Sequence, residues 1–489
     1  MNDRAWKEFR QALPDTVAGT ERKRLLQEYE PLTKERLDLG RHAGVLPRAS
    51  EPVYRWVRYK EAYSPQLVRD VLDELLPGQH GRGNPVDGVV YDPMVGSGTS
   101  LLVAAERGLP ALGADLLPYA AFVSSAMIRW READPARVLR AGEDALARSG
   151  SFPDDARLDV PAACWAFAPA VAGSLTGLLS ALAEAPGSVE RDLVRLAVLS
   201  AVEQVSYAVK DGTSLRRRLP GGPARPGRPG QQREEMGVPD VVAGVRRRIE
   251  IMAADLEDAL LASREVPGSE AAFRDAEAGS AVRASMVPGD VRSPAAVVQA
   301  DARRWRPARG SCSAVVFSPP YPNRYDYSAI YQLELALGRF VPDAAGLRRV
   351  RKQLLRSHLE APPRGEYTVQ LPALREFLSA VIGSRAKGDQ AGRVLRMAAG
   401  FFEDMADVLN RVADAMRPGA SAAVVIATQT YFGQHLPTDL LLAELGRDAG
   451  LEVRALWVVR SKGVASQQRG LSSAASRETV LVLRKPPTS

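Results

Sequence analysis

The chain has 489 residues, enough for two or three domains, of which 45% are hydrophobic and 25% are charged. This composition is typical of a folded globular protein and excludes a wholly disordered chain. An excess of 65 Lys and Arg over 58 Asp and Glu gives a net charge of +7, which permits an acidic partner without requiring one. The amino terminus lacks the apolar core of a signal peptide, and the apolar runs are too short for a membrane helix. We therefore expect a soluble, cytoplasmic protein.

Cysteine and histidine residues are few and far apart. The two cysteines are Cys164 and Cys312, and the four histidines are equally scattered. None of them follows the short spacing typical of zinc ligands, and two distant cysteines do not form a disulfide framework. The sequence therefore predicts no metal site.

The first predicted elements are helical. Residues 1–52 form a charged segment in which we expect helices. A stronger helix signal begins at Ser64, a capping residue, and Pro65 occupies the first helical position. The Pro77-Gly78 pair ends this helix.

An α/β pattern follows, in which short apolar strands alternate with helices. The first unit is a strand, a Gly-rich turn, a helix and a second strand, which predicts a parallel sheet. The predicted strands cover 88–92, 111–115, 296–301, 314–318 and 421–428, with two late strands over 451–460 and 478–484. We assign residues 53–130 and 291–489 to one discontinuous α/β domain.

A long helical region separates the second predicted strand from the third. Residues 131–290 have mostly helical patterns and contain a basic loop with five arginines between 216 and 228. Residues 341–397 are again helical and basic, with cations at Arg348, Arg349, Arg351, Lys352 and Arg356. Solvation alone explains most such charge runs. If both lie at the mouth of a site, they would contact phosphates.

A first chemical motif lies where the first strand meets its helix, and it reads Asp92-Pro93-Met94-Val95-Gly96-Ser97-Gly98-Thr99. Glycines at this position allow a tight turn and close approach of a ligand to the backbone. The helix that follows offers free N–H donors at its amino terminus. Asp92 can bind a cationic amine, which argues against a ligand that has only phosphates.

Two further acids end the next strands. Asp115 stands where a carboxylate accepts hydrogen bonds from ribose hydroxyls, and Asp301 could meet an adenine amino group. Partners for an amine, a ribose and an adenine on successive strand ends fit S-adenosylmethionine better than a dinucleotide. The predicted cofactor-binding residues are Asp92, Pro93, Gly96, Gly98, Thr99, Asp115 and Asp301.

A second motif, Ser318-Pro319-Pro320-Tyr321, follows another apolar strand. Two prolines fix the backbone and remove two N–H donors, so that the carbonyl groups can only accept hydrogen bonds. With the Ser318 hydroxyl, they could receive both hydrogens of an exocyclic amino group, while Tyr321 offers a flat face for a base. Just beyond the motif, Arg324, Tyr325 and Tyr327 could hold a flipped nucleotide and its phosphates.

Both motifs resemble those of class I S-adenosylmethionine-dependent methyltransferases, in the form common among DNA amino-methyltransferases. The segment from Arg55 to Pro65 also looks like that family's N-terminal cofactor-flanking segment. The resemblance implies a Rossmann-like, seven-stranded α/β sheet whose last strand is antiparallel. The large helical insertion at 131–290, between the second and third strands, is a candidate target-recognition region.

The resemblance implies methylation of a DNA base at its amino group, with Ser318, Pro319, Pro320 and Tyr321 as catalytic residues. An initial Ser is more frequent in N4-cytosine enzymes of the family, and adenine N6 is the other target. The implied partner is DNA, with a nucleoid location, and a restriction or defence-system partner is compatible with the family. Alternatives are an RNA methyltransferase acting on guanine N2 or adenine N6, a small-molecule N-methyltransferase, and a catalytically silent DNA-binding subunit.

Overall fold

The computed structural model describes residues 19–40, 51–77, 88–151, 158–184, 187–210, 215–217, 237–265, 295–363, 367–384, 389–462 and 476–487. Most of the predicted basic loop at 216–228 lies outside these residues, as do residues 1–18 and 41–50 of the predicted N-terminal segment. Among the helices described, none is both long and apolar enough to cross a membrane.

Strands and helices alternate through the first and last thirds of the chain. The strands are β1 (Thr33–Glu35), β2 (Val89–Asp92), β3 (Ala111–Asp115), β4 (Ala208–Val209), β5 (Arg216–Arg217), β6 (Ala295–Gln299), β7 (Cys312–Phe317), β8 (Met416–Ala427), β9 (Gln429–Tyr431), β10 (Gln434–Leu436), β11 (Glu452–Lys462) and β12 (Ser476–Arg484). The longer helices are Thr20–Tyr29, Pro65–Leu75, Thr99–Glu106, Pro118–Ile128, Pro135–Arg148, Pro169–Ala183, Val189–Ala201, Val238–Glu265, Ala344–Gln353, Pro372–Gly383, Asp389–Ala415 and Thr438–Asp448, and four-to-six-residue helices cover Leu37–Gly40, Ala163–Ala166, Tyr327–Ile330 and Gln332–Leu337.

The main sheet has eight strands in the order β1-β11-β12-β8-β7-β2-β3-β6. Strands β8, β7, β2, β3 and β6 are parallel to their neighbours in this row, whereas β12 runs antiparallel to both β8 and β11. The prediction of a Rossmann-like α/β sheet with an antiparallel last strand agrees with this topology. The predicted count of seven differs, because β1 adds an eighth strand parallel to β11 at the edge.

Two hydrophobic cores cover the two faces of this sheet. Neighbouring residues of β2 point to opposite faces, so that Val90 joins one core and Tyr91 the other. The helices between β3 and β6 pack over the first face, and the helices at 372–383, 389–415 and 438–448 cover the second. Because the two cores cover the faces of the sheet, a site can form at the carboxyl ends of the parallel strands.

The predicted strand boundaries differ from the structure by a few residues at several strands, and by most at β8. We expected Arg417-Pro418-Gly419 to form a turn before a strand starting at 421, but β8 already begins at Met416. In the pairing of β7 with β8, Cys312 lies opposite Met416, whereas Ala314, two residues later, lies opposite Ser421. The residues 417–419 therefore form an irregularity within β8 instead of a turn before it. Gly419 has a φ of 80° at this point.

Asp255, from the helix Val238–Glu265, holds the chain that precedes the cleft described below. Its side chain is fully buried and accepts hydrogen bonds from the Val53 backbone N–H at 3.2 Å and from Trp56 Nε1 at 2.8 Å. Arg55 Nε donates to the same carboxylate at 3.0 Å. A residue of the helical region thus fixes the segment that leads to Tyr59.

Replacing Asp255 by alanine should lower the free energy of unfolding by about 2–4 kcal/mol, because the change leaves the buried donors of Val53 and Trp56 without an acceptor. Urea unfolding measures this difference. Asp258, exposed on the same helix, is the matched control, and its alanine variant should change stability by less than about 0.5 kcal/mol. Equal effects of the two variants would contradict the anchoring role.

Candidate functional site

A cleft at the carboxyl ends of β2, β3, β6 and β7 brings most of the predicted site residues together. It encloses about 1020 Å³, including the part that opens to solvent. The predicted residues that line it are Pro93, Gly96, Thr99, Asp115, Asp301, Ser318, Pro319, Pro320, Tyr321, Tyr325 and Tyr327. Asp92, Gly98 and Arg324 are predicted site residues that do not line it.

The glycines of the first motif have the backbone conformations expected of a tight turn. Gly96 has a φ of 53° and Gly98 a φ of 81°, in the region that favours glycine. A Cβ atom on Gly98 would lie 3.1 Å from the Cβ of Ser124, so Gly98 also allows two helices to approach closely. Gly96 faces the cleft and Gly98 serves the packing beneath it.

Asp92 lies below the cleft floor. Its carboxylate is fully buried and accepts hydrogen bonds from the Met94 backbone N–H at 2.9 Å, from the Tyr63 hydroxyl at 3.1 Å and from the Ser100 hydroxyl. Burial raises the pKa of Asp92 to about 7, although these donors oppose the shift. Met94 and Ser100 belong to the loop and the helix after Asp92, and Tyr63 comes from the segment before the helix Pro65–Leu75.

The raised pKa of Asp92 makes a pH-dependent contribution to stability. A carboxyl group whose pKa is higher in the folded state than in the unfolded state costs stability as pH rises from about 4 to 7. The stability of Asp92→Asn relative to the wild type should therefore increase over this range, by on the order of 4 kcal/mol for the full shift. Urea unfolding at several pH values tests this, and a constant difference between the two proteins would contradict it.

Asp115 stands in the cleft wall next to the glycine loop. Its two carboxylate oxygens accept hydrogen bonds from the backbone N–H groups of Gly96 and Leu117, each at 2.9 Å. Burial raises the pKa of Asp115 to about 6, despite these two donors. Each oxygen keeps a further lone pair for a ligand hydroxyl. This acceptor set and the bare backbone of Gly96 fit the ribose and the chain of the predicted cofactor.

Asp301 lines the cleft from the end of β6, but Arg303 already occupies its carboxylate. Arg303 donates from Nε and from its second terminal nitrogen, Nη2, to the two oxygens of Asp301, both at 2.9 Å. Burial raises the pKa of Asp301, and the hydrogen bonds and charge of Arg303 outweigh this and hold it below its usual value. Asp301 is therefore an ionised carboxylate that forms an ion pair with Arg303.

The second motif lies between this cleft and a second, more polar cavity. The Ser318 hydroxyl donates to the Val425 carbonyl of β8 at 3.1 Å, which leaves its oxygen lone pairs for accepting. The Tyr321 hydroxyl donates to Glu478 Oε1 of β12 at 3.2 Å. Both Ser318 and Tyr321 also line the second cavity, which encloses about 1100 Å³ including open solvent.

The residues after the motif separate into two groups. Tyr325 lines both cavities, and Tyr327 stacks with Tyr59 in the cleft wall at 6.3 Å between ring centroids. Arg324 instead places its guanidinium 5.1 Å from the ring centroid of Tyr431, outside the lining of either cavity. Arg324 also has a φ of 78°, which is unusual for a residue with a side chain.

The structure adds residues that motif reasoning did not single out. Glu61 lines both cavities and has a φ of 58°, a conformation that non-glycine residues rarely adopt. It belongs to the Arg55–Pro65 segment, whose resemblance was the available signal. His358 lines the cleft with 1% of its surface exposed, and neither ring nitrogen has a hydrogen-bond partner among the described residues. A lone histidine gives no sequence signal of its own.

Two type II methyltransferases are similar to the chain along most of its length. M.BsoBI of Geobacillus stearothermophilus is 23% identical, over 89% of this chain and 86% of its own. M.AvaI of Nostoc sp. is 26% identical over 89% of this chain and 87% of its own, and the M.AvaI of Anabaena variabilis matches equally. This similarity supports the predicted methyltransferase class. No family model matches the chain.

Among solved structures, two of the rRNA methyltransferase aviRa from Streptomyces viridochromogenes align with 90–92% of the chain. They are 11–12% identical to it, with TM-scores of 0.24 and 0.25. At these scores the alignment supports no conclusion about fold or substrate.

Proposed function

We propose that this protein is an S-adenosylmethionine-dependent DNA methyltransferase that modifies an exocyclic amino group, cytosine N4 first and adenine N6 as the alternative. The proposal is carried by the position of Ser318-Pro319-Pro320-Tyr321, which lies at the boundary between two cavities. The glycine loop lines the first cavity and does not line the second. The similarity to type II methyltransferases supports DNA as the substrate and a place in a restriction-modification system.

On this proposal each cavity has its own ligand. The cleft at Gly96 and Asp115 takes the cofactor, and the polar cavity at Gln429 and Glu478 takes a base flipped out of the duplex, at a cost of a few kcal/mol. S-adenosylmethionine supplies an electrophilic methyl group. Because only the shared wall separates the two ligands, Ser318 is within reach of both.

The chain's own residues act by positioning. The Ser318 oxygen and the Pro319 carbonyl accept the two amino hydrogens and so aim the nitrogen lone pair across the wall. Tyr321 supports the ring of the base, and its hydroxyl is held by Glu478. Tyr325, which belongs to both cavities, helps to exclude water. The new N–C bond would form as the S–C bond of the sulfonium breaks, the product leaving as a neutral thioether, and the methylated amino group would lose one proton to solvent. Catalysis then comes from orientation and desolvation, and no covalent enzyme intermediate is needed.

Nucleoside mass spectrometry of DNA from a methylation-free host that expresses the chain tests this proposal. We expect N4-methylcytosine or N6-methyladenine with the intact protein and neither with Ser318→Ala. Total RNA from the same cells is the parallel sample. Unmodified DNA with a modified RNA base would overturn the choice of substrate, and no mark in either, from a folded protein, would overturn the assignment as a nucleic-acid methyltransferase.

A further inference from the structure

One face of the helix Ala344–Gln353 carries an unbalanced group of cations. Arg348, Arg349 and Lys352 are exposed, and none has an ion pair among the described residues. We call these three residues the basic face. At about 100° per residue they fall within roughly one quarter to one third of the helix circumference. The helix contains no acidic residue that could balance them.

The other two arginines of this sequence cluster have structural partners. Arg351 Nε lies 2.7 Å from Asp326 Oδ2, and Arg356 is buried against Asp404. The five cations that looked alike in sequence therefore separate into two that hold the fold and three that do not. Burial and pairing explain the first two, and they leave the basic face without a role in the fold.

The basic face lies beside the cleft. Its helix ends at Gln353, and Leu354 and Leu355, the next two residues, line the cleft together with Ser357 and His358. Asp326, the partner of Arg351, lies between Tyr327, which lines the cleft, and Tyr325, which lines both the cleft and the polar cavity assigned to the base. The helix is thus fixed to the same loop that follows the second motif, within a few residues of the site.

We propose that the basic face is the surface by which the enzyme contacts the phosphate backbone of its DNA substrate next to the flipped base. This inference rests on the proposed function. Exposed cations on one helix face can neutralise neighbouring phosphates, and unpaired cations lose no ion pair when they do so. Such contacts position the duplex and carry no sequence information.

The triple variant Arg348→Gln, Arg349→Gln, Lys352→Gln tests the inference against a matched control. The control is Lys23→Gln, Lys34→Gln, Arg140→Gln, which removes the same charge from three exposed residues of elements that contribute to neither cavity. The probe is a fluorescent 30-base-pair duplex of cytosine- and adenine-containing sequence, titrated at 50–300 mM salt. Calorimetric binding of S-adenosylmethionine and the melting temperature show that each protein is folded.

The salt dependence of binding decides the outcome. Each lost phosphate contact should reduce the slope of log K against log salt by about 0.9, so the triple variant should lose about 2.7 and bind at least tenfold more weakly at 100 mM salt. The control should keep the wild-type slope within about 0.5. Equal slopes for the wild type and the triple variant would overturn the inference and leave the proposed function intact. A wild type that binds no duplex would overturn both the inference and DNA as the proposed substrate.

Discussion

Tyr321→Ala should lower kcat/KM for DNA methylation by about 10²–10³. Stacking of a base on an aromatic ring is worth about 1–3 kcal/mol, and a base that is no longer aligned loses a further rate factor that can reach about 10². The ring is held in place by the hydrogen bond from its hydroxyl to Glu478 at 3.2 Å, so its plane is defined before any base arrives. Methyl transfer to a duplex under single-turnover conditions measures the change.

Tyr321→Phe is the matched control for this variant. It keeps the aromatic face and loses only the hydroxyl bond to the carboxylate, so we expect a loss of no more than about tenfold. A phenylalanine variant as impaired as the alanine variant would mean that the hydroxyl, and not the ring face, is what the reaction uses. An alanine variant within about threefold of the wild type would remove Tyr321 from the site altogether.

Asp115→Ala should weaken the binding of S-adenosylmethionine by at least about 100-fold. The change removes the acceptor for ligand hydroxyls and also leaves the Gly96 and Leu117 backbone N–H groups without the carboxylate that they share. Hydrogen bonds to a charged group contribute about 1.5–3 kcal/mol each, so the loss of two bonds from ligand hydroxyls to the Asp115 carboxylate accounts for the 100-fold weaker binding. Isothermal titration calorimetry with the cofactor alone gives the dissociation constant without any need for methyl transfer.

Asp115→Asn separates the two roles of this residue. Its amide oxygen can still serve one backbone N–H group, so the glycine loop should keep part of its support and the affinity should fall by only about tenfold. If the alanine variant binds the cofactor as tightly as the wild type, the cleft does not hold the ribose at Asp115.

The strands that build the site were predictable because they are short, apolar and buried on both faces. The strand at 88–92 ends in Asp92, below the cleft floor, and the strand at 111–115 ends in Asp115, in the cleft wall. The two motifs could be placed at strand ends because the strands before them were recognisable. Strand β1 could not be predicted, since Thr33–Glu35 is polar and pairs only at the edge of the sheet. Local patterns identify buried strands and say little about edge strands.

Side-chain partners were the harder part of the prediction. Spacing put Asp92 and Asp115 on successive strand ends, but it could not show that Tyr63 and Ser100 surround the first carboxylate while the second faces the cleft. Arg324 likewise comes three residues after Tyr321 of the second motif, and yet it has a left-handed backbone conformation and its guanidinium lies near the ring of Tyr431. These outcomes depend on residues far away in sequence, which no single-sequence pattern contains.

The long reach of the Asp255 anchor has a consequence for synthesis on the ribosome. The cleft takes its walls from six separate stretches between Tyr59 and His358, and the segment that leads to the first of them is tied to a helix 200 residues further along the chain. At about 5–20 residues per second, about 15–60 s pass between the emergence of residue 53 and that of residue 358. During that interval the cleft is incomplete, so the proposed cofactor cannot act as a template for the nascent first half, and β2 and β3 form without its help.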